Sequence, residues 1–222
     1  MITLHHLENS QSIRILWLLE EIGMKYDFKM YDRDPKTMLA PAEYKAVSPL
    51  GTAPCITDGN VTLAESNAII DYILDKAEED TWRPGATSKN RAKYLFWFHA
   101  SQGSLQSILT MSLVLTITTS RSPGLIRPLI KKVLGMTQAS FIKPRLKAIL
   151  TVLEEDLSES KFVAGGRITA ADIALGYTLE MAGMRGILDD YPNCLAYVDR
   201  MTSRPAFQRA VEKDGKYTGI PT

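Results

Sequence analysis

A chain of 222 residues, 45% of them hydrophobic and 23% charged, is long enough to bury one large core or two modest ones. Its formal net charge of +1 supplies no global attraction for nucleic acid or for an anionic membrane. The two cysteines, Cys55 and Cys194, make no disulfide framework and are expected as buried thiols, since both lie in apolar sequence.

In chain order, residues 1–7 read as a strand rather than as a basic-then-apolar leader, so a secretory signal is not expected. Asn9-Ser10-Gln11-Ser12 is a polar turn of helix-capping residue types. Residues 13–22 are apolar on nearly every side, which predicts a helix buried on more than one face, and Gly23 ends it. Tyr26, Phe28 and Met30 alternate as in a strand. Strand–helix–strand in this order predicts parallel pairing through a right-handed crossover. Residues 32–47 are polar, with two prolines, and predict a loop with a short helix. Cys55-Ile56-Thr57, Asp58-Gly59 and Val61-Thr62-Leu63 predict a hairpin, because Asp-Gly favours a tight primed turn. A helix follows from 65 to about 77.

Residues 78–88 contain Glu-Glu-Asp, Pro84 and Gly85 and have no apolar period. We place the domain linker there, at 81–88, between a first domain over 1–80 and a second over 89–222. The second domain reads helical throughout. Its most apolar stretch, 105–119, is short for a bilayer span and carries Gln106, Ser107 and Ser112. Leu146, Ile149, Leu150, Leu153 and Leu157 recur at helical spacing, with Pro144 predicting a kink or a start. Gly165-Gly166 is a turn, Thr169 and Asp172 form the ends of a capping box, and Pro192 and Pro205 suit first turns of further helices. A reducing, soluble, cytoplasmic compartment is the expectation.

The chemistry concentrates in Pro49-Leu50-Gly51-Thr52-Ala53-Pro54 and in Glu65-Ser66. A proline where a strand begins cannot donate to the ladder. If the Ala53–Pro54 bond is cis, the backbone of Ala53 faces outward, and an extended peptide can pair with it as an added strand. Glu65 and Ser66 stand at a helix N-terminus, where N–H groups accept a carboxylate and Glu65 can hold an amine. Together these features describe a pocket for a small zwitterionic peptide. They fit an ordinary helix start and a structural proline turn as well.

The βαβ–ββα order resembles a thioredoxin-like domain. Followed by an all-helical domain, it is similar to the glutathione S-transferase architecture: an α/β thioredoxin-like N-terminal domain plus an all-α C-terminal domain. The resemblance spans nearly the whole chain. It rests on Ser10 four residues before Arg14, the run Arg14-Ile15-Leu16-Trp17-Leu18-Leu19-Glu20-Glu21, the proline motif, Glu65-Ser66, the box at Thr169 and Asp172, and Arg204-Pro205-Ala206-Phe207 with its continuation to Ala210. The segment 111–136 and the C-terminal run look most like a fungal and bacterial branch of that family.

The resemblance implies a transferase with glutathione as co-substrate, a small hydrophobic electrophile as second substrate, and a homodimer. It implies that Ser10 donates to the glutathione thiolate, that Ser66 holds the γ-glutamyl carboxylate, that Glu65 lies near the amine, and that Thr52, Ala53 and Pro54 flank the peptide. Asn9 and Ser12 are rivals to Ser10, and a plain capping role for Ser10 is open too. Thr52 stands where many relatives carry Lys or Gln, so the partner of the glycine carboxylate is open among Arg33, Lys36 and Lys45. His5 and His6 are adjacent in a strand and point to opposite faces, which predicts no metal site. Tyr94, Trp97, Phe98, His99, Met111 and Met136 are expected mostly in the core or a dimer interface, with a pocket lining as the alternative. Lys131-Lys132 is expected as a solvated face. Reduction of organic hydroperoxides is an expected side activity. A non-catalytic glutathione-binding or regulatory protein of the same fold remains an alternative, as does a glutathione-dependent disulfide reductase. The second is disfavoured because Cys55 follows Pro54 and no cysteine stands near Ser10.

Overall fold

Four strands form the sheet: β1 (Thr3–Leu7), β2 (Asp27–Tyr31), β3 (Cys55–Asp58) and β4 (Val61–Ala64), in the order β2-β1-β3-β4. They belong to a computed structural model that describes residues 1–78 and 80–218. β1 and β2 pair in parallel through helix α1 (Ile13–Ile22), with Leu4 opposite Phe28. β3 runs antiparallel to both β1 and β4. The hairpin has a two-residue loop, Gly59-Asn60, and Gly59 alone takes positive φ (60°), the pattern of a II′ turn. Asp58 thus ends the strand and does not enter the loop.

Residues 13–19 are all buried. The reason is position: α1 packs against helices α3 (Ser66–Lys76), α8 (Ala170–Met184) and α10 (Pro205–Asp214), so no face is left for solvent. Gly23 closes α1 in the left-handed region (φ 65°), and the N–H groups of Gly23 and Met24 both reach Leu19 O. Helix α2 (Ala42–Val47) lies under the proline loop.

After α3, Asp80–Trp82 forms a 3-10 turn that buries Trp82, and Arg83 pairs with Asp75 at 2.6 Å. Helix α4 (Arg91–Ala100) then passes through a π-helical turn (Ser101–Gln106) into α5 (Ser107–Arg121). Helix α6 (Arg127–Thr137) passes through a second π-helical turn (Gln138–Ile142) into α7 (Lys143–Glu159). Pro144 stands in the first turn of α7, directly after the widened turn. Its missing N–H cannot close the preceding ladder, so the helix restarts there and the chain does not break. Helices α9 (Pro192–Thr202) and α10 complete the helical half, each with proline in its first turn.

Helix α8 is the pivot of the molecule, buried from Ala170 to Ala182. Asp172, fully buried, closes the capping box and accepts four hydrogen bonds: from Val163 N (3.0 Å), Thr169 N (2.7 Å), Thr169 Oγ1 (2.8 Å) and Tyr197 OH (3.0 Å). One continuous core joins the two halves, from Leu4 and Ile56 of the sheet to Leu175 and Phe207. Trp17 of α1 meets Gly176 of α8 so closely that a Cβ there would lie 2.5 Å from its ring. The ring is fixed by an edge contact with Phe207 (5.2 Å) and by donation from Nε1 to Glu21 (2.9 Å). Tyr94, Trp97 and Phe98 are core residues, whereas His99, Met111 and Met136 are exposed. Lys131, Lys132 and their helix α6 face solvent. Among the described residues no helix is long and apolar enough to cross a membrane.

Candidate active site

The Ala53–Pro54 peptide bond is cis. Pro54 and Cys55 are buried behind the loop, and Thr52 is exposed on it. The loop is braced from α2: Ser48 Oγ donates to Thr52 O at 2.9 Å and Tyr44 OH donates to the same oxygen at 3.3 Å. A cleft of about 280 Å³ opens beside it, lined by Leu7, Asn9, Ser10, Arg33, Thr52 and Ala53 among others, with Tyr177 of α8 as its far wall. Thus the structure brings Ser10, Thr52 and Ala53 into one cleft, with Pro54 beneath.

Ser12 is not part of this lining. It is fully buried, and although it is the residue before α1, its hydroxyl does not cap the helix. Asn9 (φ 45°) does line the cleft, but its Oδ1 accepts from Thr218 N (3.0 Å) and Thr218 Oγ1 (3.1 Å). Ser10 Oγ lies 2.6 Å from Leu7 O and 2.6 Å from Ser12 Oγ, and accepts from Ser12 N at 3.3 Å. Its proton is therefore directed inward in this state, toward Leu7 O or Ser12.

Glu65 is exposed, with φ 74° and ψ 120°, a conformation that costs a non-glycine residue about 1–3 kcal/mol. Ser66 is buried and opens the eleven-residue helix α3. Neither residue lines the cleft itself. Among the three basic candidates only Arg33 does. It donates from Nε to Glu8 O (2.9 Å), from Nη1 to Met38 O (2.9 Å) and from Nη2 to Asn9 O (3.2 Å). Those carbonyls carry no net charge, so the Arg33 charge is held rigidly and stays available to an anion. Lys36 and Lys45 are exposed, with the Lys45 stem beside Gly51.

A second, smaller cavity of about 60 Å³ adjoins through Tyr177, lined by Leu109, Thr110, Leu113, Thr178, Met181 and Arg185 among others. Behind both lies Arg14, fully buried, over the Tyr177 ring (5.3 Å to its centre) and donating to Thr178 Oγ1 at 3.3 Å. Burial lowers its pKa to about 10, so it still carries a charge at neutral pH. Sequence reasoning gave Arg14 no role at the site, and its spacing from Ser10 was the available signal.

His5 and His6 point to opposite faces of β1. His5 bonds Tyr31 OH (2.9 Å) and Thr57 Oγ1 (3.0 Å), and His6 bonds Asp214 and Ser12. Among the described residues no cluster of three or more His, Cys, Asp or Glu side chains is arranged to hold a metal ion. Cys55 is buried against the proline loop, and burial pushes its thiol up, away from the reactive thiolate.

Fold and cleft together define a two-domain protein: a thioredoxin-like half that turns its cis-proline edge toward an all-helical half. Comparison with known proteins places it further. Residues 10–76 match the family model for the glutathione S-transferase N-terminal domain, and residues 131–214 match the one for its C-terminal domain. Glutathione S-transferase 3 of Schizosaccharomyces pombe is 32% identical over 222 residues, covering 96% of this chain and 88% of the relative. Glutathione S-transferase 1 of Saccharomyces cerevisiae is 26% identical, covering 96% and 95%. A crystal structure of a glutathione S-transferase from Actinobacillus pleuropneumoniae is 32% identical and superposes with a TM-score of 0.77, covering 98% of this chain and 94% of that one. The chain belongs to the glutathione S-transferase family.

Proposed function

We propose that the chain transfers glutathione, as its thiolate, to small hydrophobic electrophiles, with Ser10 as the group that stabilises the sulfur. The observation that carries this reading is the shared cleft: Ser10 of the first turn, the Thr52-Ala53 edge beside cis-Pro54 and the fixed charge of Arg33 surround one cavity. A free thiol with pKa near 8.5 is mostly protonated at neutral pH. Lowering it by about two units requires about 2.7 kcal/mol of preference for the anion. A hydroxyl donor at the start of α1 supplies part of this and the helix dipole adds to it.

In this reading the peptide pairs with Ala53, its γ-glutamyl carboxylate meets the N-terminus of α3 at Ser66, its amine meets Glu65, and Arg33 rather than a lysine at position 52 attracts its glycine carboxylate. The electrophile occupies the apolar cavity around Leu109, Leu113 and Met181, which shares Tyr177 with the cleft. The same thiolate reduces organic hydroperoxides, with a second glutathione completing a disulfide. The first domain spans 1–80 and the second 89–222, joined by 81–88, and two copies associate through exposed apolar side chains such as Phe96, Met111 and Val114. The cytoplasm, where glutathione keeps thiols reduced, suits this chemistry.

One observation favours the alternative of a non-catalytic binding protein: the Ser10 proton is directed to Leu7 O or Ser12 and must be redirected to meet a thiolate. Turnover of a model electrophile separates the two readings. Ser10→Ala is expected to bind glutathione within about twofold of the parent and to lose tenfold or more in kcat, about 1.4 kcal/mol. Equal turnover in parent and variant removes Ser10 from the mechanism. Binding without any turnover in the parent establishes the binding protein.

A further inference from the structure

The Ser10 hydroxyl is one end of a buried chain of hydrogen bonds that reaches the C-terminal end of α10. Ser10 Oγ lies 2.6 Å from Ser12 Oγ, Ser12 Oγ lies 3.0 Å from His6 Nδ1, and His6 Nε2 lies 2.6 Å from Asp214 Oδ2. Ser12 and His6 are fully buried, and Ser10 and Asp214 are each 5% exposed. The second Asp214 oxygen accepts the Lys216 N–H at 3.0 Å, while the Lys216 ammonium pairs with Asp32. The groups facing His6 are Asp214 from α10, Ser12 from the turn and the Phe28 ring of β2, 5.3 Å away. A carboxylate that orients an imidazole, which in turn faces a hydroxyl, is the arrangement by which hydrolases move a proton off a nucleophile. Here a second hydroxyl carries the chain onward to the cleft.

The protons can be counted. A neutral imidazole has one N–H, and the short contact to Asp214 places it on Nε2. Nδ1 is then an acceptor, filled by the Ser12 O–H, which leaves the single Ser10 proton to be shared between Ser12 Oγ and Leu7 O, each 2.6 Å away. Leu7 O is the competing acceptor that keeps the Ser10 hydroxyl on this side.

We propose that this chain takes the thiol proton of bound glutathione to His6. The step rests on the reading of Ser10 as the group facing the sulfur. The S–H gives its proton to Ser10 Oγ, the Ser10 proton passes to Ser12 Oγ, and the Ser12 proton passes to His6 Nδ1. One S–H and two O–H bonds break, and two O–H and one N–H bond form. No proton leaves the protein, and the products are a thiolate and an imidazolium paired with Asp214. Every hydroxyl has reversed its direction, so Ser10 now donates to the thiolate. This resolves the inward direction of the Ser10 proton: it is the state before transfer. His6 and Asp214 touch no substrate and are positioning residues that act through Ser10.

The test uses the full chain and glutathione itself. Thiolate absorbance of bound glutathione is titrated in the parent, Ser10→Ala, His6→Gln and Asp214→Asn proteins, and the imidazole nitrogens are followed by NMR in the 15N-histidine-labelled parent. Gln at position 6 keeps hydrogen-bonding capacity but takes no proton. The expected result for His6→Gln is about tenfold less thiolate near neutral pH at similar glutathione affinity, a rise of about one pKa unit. In the parent, the His6 signals move from a neutral tautomer to imidazolium when glutathione binds. An unchanged thiol titration in a folded His6→Gln protein overturns the relay. If that variant does not fold, His6 signals unmoved by glutathione in the parent overturn it alone. A thiol titration that Ser10→Ala leaves unchanged overturns the underlying role of Ser10. A shift in Ser10→Ala with none in His6→Gln overturns only the relay.

Discussion

Gly176→Ala is predicted to destabilise the protein although it places the best helix former in a helix interior. The added Cβ would meet Trp17 Cζ3 at 2.5 Å and Cη2 at 3.2 Å, so the ring must move. It has little freedom to do so: Phe207 abuts it, Glu21 holds its Nε1, and Glu21 is itself held by Arg204 at 2.8 Å. Overpacking of this kind costs about 1–3 kcal/mol. The helix-propensity gain of alanine over glycine returns about 1 kcal/mol. The net loss is about 0–2 kcal/mol, or up to roughly 8 °C in Tm for a cooperative unit of this size. Gly135→Ala in α6 is the control, because nothing lies within 4 Å of its added Cβ. There the propensity term acts alone, and a gain of about 0.5–1 kcal/mol is expected. Thermal unfolding followed by circular dichroism, with tryptophan fluorescence as a second probe, reads both. Equal shifts of the same sign in the two variants would refute the reasoning, because only the Trp17 contact separates them.

Two other perturbations test the scaffold. Asp172→Ala strands two backbone N–H groups and two hydroxyls in the interior and is expected to cost about 3 kcal/mol or more in denaturant unfolding, far above a surface aspartate control. Asp58, bonded by Lys76 and Tyr72 with the N-terminal amine nearby, has its pKa held down at about 2. A depressed carboxylate stabilises above its unfolded pKa and loses that contribution as pH falls through the folded value. The Tm difference between the parent and Asp58→Asn should therefore be constant above pH 5 and shrink between about pH 4 and pH 2; a gap independent of pH over that window rules out the assignment.

Local signals were strong enough to read much of this molecule. The alternation before Asp32, Gly23 and the Thr169–Asp172 box each act within a few residues and each formed as expected, and the hairpin formed with its turn one residue on, at Gly59-Asn60. The cis-proline loop was legible because a proline at a strand start is constrained by backbone geometry, whereas Ser10 was singled out through the family resemblance; both line one cleft. The partners of those residues were not legible. His6 and Asp214 are 208 positions apart, and neither periodicity nor propensity links them. Arg33 looked interchangeable with Lys36 and Lys45, since nothing local predicts that its three donors would be fixed by Glu8, Asn9 and Met38 carbonyls. Met111 and Met136 carried an apolar signal that burial within one chain does not satisfy. Sequence pattern reports how much a side chain avoids water, but not which surface removes it.

The attachment of α10 also bears on how the protein is made. Phe207 covers Trp17, Arg204 and Arg209 hold Glu21 and Glu20, and Asp214 completes the surroundings of His6. All four lie within residues 204–214, while Trp17, Glu20, Glu21 and His6, which they hold, lie within residues 6–21. Synthesis from the N-terminal side therefore makes α1 and β1 well before the residues of α10 that complete their packing. A chain that stops before residue 204 lacks all four of these side chains, so the Trp17 ring loses its Phe207 cover and His6 loses its carboxylate partner together.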